Sequence, residues 1–355
     1  MEQSILIKKR KEEIKMKKRI LSIVMAAVMT LSLVACGGGS NDSANETLKV
    51  GLVTDIGGVE DQSFNQSAWE GLQRAGEELG VEINYLSSGS DADYVPNLAT
   101  FVDEEYDLII GVGYQLADAL RASAEENPDI KYAIIDDTSI DLPNVTCLSF
   151  KQEQGSYLVG YVAGLMTEKD NIGLVLGMAS ENMNLFGYGY CAGALDANPA
   201  ITIQQGNANS FGDPAMGSTL TTNFVTNGAD IVFHAAGATG TGVITECQAK
   251  GIMAIGVDSD QSYLAPDTVI TSALKRVDNA VFATVERLVA DELEGGIAVF
   301  DITNEGVGIA NTDLLSDEVI AAVDAVYEQI LNGEIEVPNS AASFEAKYGD
   351  VYQLD

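Results

Sequence analysis

The sequence predicts an α/β protein made of two doubly wound parallel-sheet lobes joined by a multi-crossover hinge. Three observations carry that expectation. Short β-rich apolar runs alternate with segments of helical periodicity, the order that builds parallel sheets covered by helices. The alternation pauses near residue 150 and then restarts, as a second unit of similar design requires. Asp and Gly residues, and one Lys, follow the apolar runs at the ends where open α/β sheets take up ligands.

Leu48–Thr54 (LKVGLVT) is the first apolar run, and Gly57 and Gly58 turn the chain after it. Ala68, Leu72, Ala75 and Leu79 fall at helical spacing, which predicts a helix over Asn65–Leu79. Strands expected over Val81–Leu86, Asp107–Val112, Lys131–Ile135 and Val145–Phe150 alternate with helices over Tyr94–Glu104 and Gln115–Glu126. The second series has strands over Asn171–Leu176, Ala200–Gln205, Asp230–Ala235, Met253–Val257 and Val269–Lys275. Its helices cover Gln154–Met166, Phe186–Asp196, Pro214–Asn227 and Gly240–Lys250. A long helix over Val277–Leu293, strands near Ala298–Ile302 and Gly306–Ile309, and a helix over Asp317–Leu331 follow. No fixed-period repeat occurs at solenoid spacing. The expected lobes are residues 48–150 plus 276–294, and 151–275 plus 295–335. The crossings are placed near Phe150–Glu153, Lys275–Asp278 and Gly295. An acidic tail, 336–355, either packs on a lobe or stays unfolded.

Composition narrows the function. The 355 residues include 53 Asp+Glu against 19 Lys+Arg, a net charge of −34, so no basic surplus exists to neutralise nucleic-acid phosphates. The single histidine, His234, argues against a His-rich metal site or a Ser-His-Asp triad. Lys17, Lys18 and Arg19 precede an apolar run of 16 residues, Ile20 to Ala35, which is too short to span a bilayer and has the plan of a secretory signal. Residues 1–35 are therefore expected to be a signal peptide, with Met16 an alternative start. Leu33-Val34-Ala35-Cys36 resembles the lipobox of bacterial lipoproteins, which implies lipidation at Cys36 and a flexible tether over 36–47. Removing residues 1–35 takes away eight Lys+Arg and three Asp+Glu, leaving 11 against 50 and a net charge of −39. Cys147, Cys191 and Cys247 are odd in number and lack a C-x-x-C spacing, so they read as small buried hydrophobes.

The residues after the strands suggest a ligand. Asp55, Asp136-Asp137, Gly237, Asp258 and Lys275 follow five strands, and a cleft between lobes would collect them. Ionised carboxylates accept several hydroxyl donors, which suits a polyhydroxylated ligand, and Lys275 is expected to pair with Asp258. Phe64 and Phe186 follow the first strand of each lobe and can sandwich a flat ring, while Asn65 can read a base edge. A flat ring with vicinal hydroxyls describes a nucleoside. A phosphate suits the site poorly, since Gly237-Ala238-Thr239-Gly240-Thr241-Gly242 lacks the Lys-Ser/Thr ending of a P-loop and Asp-rich walls repel a dianion.

Asp55-Ile-Gly-Gly-Val-Glu-Asp61-Gln-Ser-Phe64-Asn65-Gln66-Ser-Ala-Trp69-Glu-Gly71 resembles the signature of the basic membrane protein lipoprotein family. Tyr132-Ala-Ile-Ile-Asp136-Asp137, Phe211-Gly-Asp213-Pro214, His234-Ala-Ala-Gly237-Ala-Thr239-Gly240, Gly256-Val-Asp258-Ser-Asp260-Gln261 and Ser272-Ala-Leu-Lys275-Arg276-Val-Asp278 extend the resemblance over about Leu48 to Pro338. It implies a type I periplasmic-binding-protein fold and a receptor of a nucleoside ABC transporter, working with permease subunits. It further implies that Phe64 and Phe186 stack on the base. Asn65 and one of Asp136 and Asp137, with Asp136 favoured, would bind its edge, and Gly237, Asp258 and Lys275 would hold the ribose. The stretch Ala179–Tyr190 departs from the family, and Tyr188 or Tyr190 competes there with Phe186 for the stacking position. The expectation is a cell-membrane, lipid-anchored, non-enzymatic nucleoside receptor without metal or cofactor. A receptor for a free pentose or hexose, or a sensor subunit on the same fold, stands as the alternative.

Overall fold

A computed structural model describes residues 47–354, which belong to one compact unit. The expected signal peptide, Cys36 and residues 36–46 of the tether lie outside the described residues. No helix among the described residues is long and apolar enough to cross a membrane.

Two six-stranded sheets organise the fold. The first contains β1 (Lys49–Val53), β2 (Glu82–Leu86), β3 (Leu108–Val112), β4 (Lys131–Ile135) and β5 (Val145–Phe150), and the second contains β6 (Asn171–Leu176), β7 (Thr202–Asn207), β8 (Ile231–Ala235), β9 (Met253–Asp258) and β10 (Val269–Lys275). Two late strands complete them: β11 (Gly296–Phe300) joins the first and β12 (Val307–Ile309) the second. The first sheet runs β2-β1-β3-β4-β5-β11 and is parallel throughout. The second repeats that order as β7-β6-β8-β9-β10-β12, parallel except that β12 is antiparallel to β10. LIIGV of β3 and IVFHA of β8 are buried along their whole length, which is why they read as unbroken apolar runs.

Ten helices cover the sheets among the described residues: α1 (Phe64–Leu79), α2 (Tyr94–Asp103), α3 (Ala117–Glu126), α4 (Gln152–Met166), α5 (Glu181–Ala197), α6 (Pro214–Thr226), α7 (Thr239–Lys250), α8 (Val277–Val289), α9 (Asp317–Leu331) and α10 (Ala341–Tyr348). The chain crosses between lobes at Phe150–Gln152, Lys275–Val277 and Phe300–Val307. The crossings are tied together. Lys151 N donates to Phe300 O at 2.9 Å, Lys151 Nζ meets Asp301 at 2.9 Å, and Arg276 N donates to Gly306 O at 2.9 Å.

Four details correct the sequence expectation. The strand assigned to the second lobe from residue 295 onward pairs in parallel with β5 of the first, so the third crossing follows Phe300 rather than Gly295. The expected helix to Leu293 ends at Val289, where Ala290 caps it and Asp291 turns to a φ of 58°. The helix expected from Phe186 starts at Glu181, because Ser180 Oγ accepts from Met183 N and caps a polar first turn. The C-terminal tail takes the packed alternative. Phe344 and Tyr352 are buried, Tyr352 Oη donates to Asn184 Oδ1 at 2.7 Å, and Gln205 Nε2 donates to Val351 O at 2.7 Å.

The α4–α5 pair in the second lobe approaches at backbone distance. Gly160 and Gly164 lie against the carbonyl oxygens of Tyr190 and Ala194, and Gly189 and Gly193 lie against those of Glu153 and Tyr157. A Cβ at Gly193 would overlap the Tyr157 oxygen, so one helix would have to move away from the other. Gly193→Ala is expected to destabilise the protein by about 2 kcal/mol, despite the better helix propensity of Ala, because overpacking costs about 1–3 kcal/mol. A urea midpoint equal to or above that of the unaltered protein would refute this.

Candidate functional site

The carboxyl ends of the two sheets flank a cleft of about 530 Å³, the solvent at its mouth included. The first lobe lines it with Asp55, Asp61, Phe64, Asn65, Gly113, Tyr114, Gln115 and Asp136; the second adds Asn182, Met183, Phe186, Phe211, Gly237, Val257, Asp258 and Lys275, among others. The repeated strand order places matching groups at matching ends. Asp136 follows β4 and Asp258 ends β9, with φ of 67° and 65°; Gly113 follows β3 and Gly237 lies just beyond β8, with φ of 108° and 55°. The left-handed turn costs a non-glycine residue roughly 1–2 kcal/mol, least for Asp and Asn, and all four residues line the cleft.

The loop after β1 is organised by two buried acids. Asp55 Oδ1 accepts from Gly57 N at 2.8 Å and from Asn65 Nδ2 at 2.7 Å. Asp61 caps α1: its oxygens accept from the backbone N of Ser63, Asn65 and Gln66 at 2.9, 2.9 and 3.0 Å, and from Asn65 Nδ2 at 2.9 Å. Asp61 thereby fixes Asn65 and Phe64 at the head of the helix.

Polar contacts join the lobes across the cleft. Ser63 Oγ donates to Asp258 Oδ2, Gln261 Nε2 donates to Gln62 O at 2.9 Å, and Lys275 Nζ pairs with Asp136 Oδ2 at 2.5 Å. The Lys275 and Asp136 side chains are only 2% and 7% exposed. The same ammonium lies 4.9 Å from the centre of the Phe64 ring, 5.1 Å from Phe150 and 5.5 Å from Phe186.

Of the residues the sequence singled out, Asp55, Phe64, Asn65, Asp136, Phe186, Gly237, Asp258 and Lys275 line the cleft. Asp137 does not. The turn at Asp136 sends it outward, where its Oδ1 accepts from the N and Oγ of Ser139 at 2.8 Å. The expected Lys275–Asp258 pair is replaced by Lys275–Asp136, since Asp258 is held by Ser63. Tyr188 packs on Phe344 and Tyr352, and Tyr190 on Phe233, so of the three aromatics only Phe186 faces the cleft. Gln115, Tyr114 and Asn182 were not anticipated. The strand-end rule applied to β3 and β6 leads to both segments.

Burial pushes the Asp258 carboxyl up to about 7 and that of Asp55 up to about 6. Lys275 and Ser63 pull Asp258 the other way without cancelling the effect of burial. Both groups hold their proton more readily folded than unfolded, so protons favour the folded chain. Stability without ligand is expected to fall as pH rises from about 4 to about 7, and Asp258→Asn should flatten that slope. A slope unchanged by the substitution, in thermal melts across this range, would refute the assignment.

The family described as ABC transporter substrate-binding protein PnrA-like matches residues 48–341. The chain is 33% identical to the ABC transporter nucleoside-binding protein BmpA of Lactococcus lactis subsp. cremoris, over 91% of this chain and 100% of that one. It is 36% identical to basic membrane protein A of Borreliella burgdorferi, over 93% and 98%. Among solved structures, a solute-binding protein of an ABC transporter system from Aeropyrum pernix K1 superposes with a TM-score of 0.78 at 27% identity, covering 86% of this chain and 98% of that one. The chain belongs to the PnrA-like, or basic membrane protein, family of ABC transporter substrate-binding proteins, and has the type I periplasmic-binding-protein fold.

Proposed function

We propose that this protein is a lipid-anchored extracytoplasmic receptor that binds a nucleoside, a purine nucleoside by preference, and delivers it to the permease of an ABC transporter. One observation carries the reading: the cleft combines two Phe rings on opposite lobes with buried carboxylates at strand ends. In this reading Phe64 and Phe186 hold the flat base, and Asn65 and Asp136 meet its edge. Gly237, Asp258 and Lys275 hold the ribose, and Asp55 keeps Asn65 in position. The naming of the Lactococcus relative as nucleoside-binding supports the ligand class. The protein acts by binding and release, with the lobes opening at the three crossings, and uses neither catalysis nor a cofactor. Cys36 provides the anchor.

Calorimetric titration tests this reading, using protein unfolded and refolded to remove carried-over ligand. Guanosine, inosine, adenosine, cytidine and ribose are compared. Micromolar or tighter binding of nucleosides, with none of ribose, is expected. Phe64→Ala and Phe186→Ala should each weaken binding about tenfold or more, since stacking contributes about 1–3 kcal/mol per base. Binding of ribose without nucleosides would overturn the proposal in favour of a sugar receptor. Cys36→Ser is expected to move the protein from the membrane fraction to the soluble one, and an unchanged distribution would remove the lipid anchor from the proposal.

A further inference from the structure

Four buried polar atoms on residues lining the cleft have no hydrogen-bond partner among the described residues: Asn65 Oδ1, Gln115 Oε1, Asp136 Oδ1 and Asn182 Nδ2. Three are acceptors and one is a donor. Two of the amides have their orientation set by neighbours. The Asn65 nitrogen is committed to the carboxylates of Asp55 and Asp61, which leaves its oxygen to the cleft. Asn182 is set the opposite way. Gln152 Nε2 donates to Asn182 Oδ1 at 2.7 Å and to Asn182 O at 3.0 Å, which leaves Nδ2 as the unsatisfied end. Gln152 opens α4 directly after the first crossing, so this donor is aimed from the hinge.

A bound ligand must complement that wall, because a buried donor or acceptor left unpaired costs more than an average hydrogen bond gains. A 6-oxopurine presents a carbonyl acceptor beside an N–H donor, and guanine adds an amino donor. Adenine presents an amino donor beside a ring-nitrogen acceptor. We propose that Asn182, positioned by Gln152, donates to the carbonyl of a 6-oxopurine and makes the site prefer inosine and guanosine to adenosine. This rests on the nucleoside reading above. An adenine amino group in the same place would set donor against donor at Asn182 and leave the acceptors of Asn65 and Asp136 facing a ring nitrogen.

The test is the ratio of dissociation constants for adenosine and inosine, measured by calorimetry on the refolded protein. The unaltered protein should bind inosine at least about tenfold tighter, since sites built to pair a polar group discriminate at that level or above. Asn182→Asp keeps the shape and turns the donor into an acceptor, and should lower the ratio about tenfold or more. Asn182→Leu removes the donor without adding charge and should bring the ratio near one. Gln152→Glu offers a carboxylate that draws Asn182 Nδ2 toward itself and turns Oδ1 to the cleft. It should shift the ratio as Asn182→Asp does, although Asn182 is intact, which simple loosening of the fold would not do. If Gln152→Glu does not fold, the two Asn182 variants still decide. Nucleoside binding with equal affinities in the unaltered protein, or a ratio unmoved by the Asn182 variants, overturns this inference alone. Binding of no nucleoside overturns both this inference and the reading beneath it.

Discussion

The ammonium of Lys275 is the constraint on which the closed arrangement depends. Taking an ammonium out of water costs several kcal/mol unless a counter-charge and polarisable neighbours replace its hydration. Here the replacements come from both lobes. Asp136, Phe64 and Phe150 belong to the first, while Phe186 and the lysine itself belong to the second. Faces of aromatic rings attract a desolvated cation by up to about 2 kcal/mol each. Separating the lobes would expose Lys275 to water and remove it from Asp136, Phe64 and Phe150, so burial of this charge is tied to the closed arrangement. Its neighbour Arg276 bonds to Gly306 across two of the crossing segments, which puts the charge next to the connections between the lobes.

The duplicated sheet order has an electrostatic consequence. Because β4 and β9 occupy the same place in each sheet, their terminal carboxylates converge from opposite sides, and Asp136 adds to the upward pull that burial exerts on Asp258. A single ammonium serves this acid-rich wall. A ligand offering hydroxyl donors to the carboxylates relieves that imbalance, whereas an anion would worsen it. Matching strand ends thus bring the carboxylates of the two lobes together in one cleft.

Much of this was legible in the sequence, for identifiable reasons. Strands buried on both faces leave continuous apolar runs, so β1, β3, β4, β8 and β9 were readable within a residue or two. Strand ends in such sheets point at ligands, which led to Asp55, Asp136, Gly237, Asp258 and Lys275. What escaped depended on three-dimensional pairing. Nothing local in GIAVF says that it returns to the first sheet, because an exposed edge strand carries little patterning. The partner of Lys275 depended on how the lobes close. Asp136 and Asp137 are adjacent and chemically identical, and only the backbone turn at Asp136 separates their roles. The orientation of the Asn182 amide depended on Gln152, thirty residues earlier in the chain.

The late strands and helices that finish each lobe govern how the protein is made. The first sheet lacks its last strand until Phe300 has been synthesised, and α1 lacks its partner α8 until Val289. The second lobe receives Phe344 and Tyr352 only from the final residues of the chain. A ribosome that has passed residue 150 has therefore released only part of one sheet, with its last edge bare and one helix unpartnered. Contacts of such long sequence separation delay folding. Neither lobe can therefore be completed until these later segments have been synthesised.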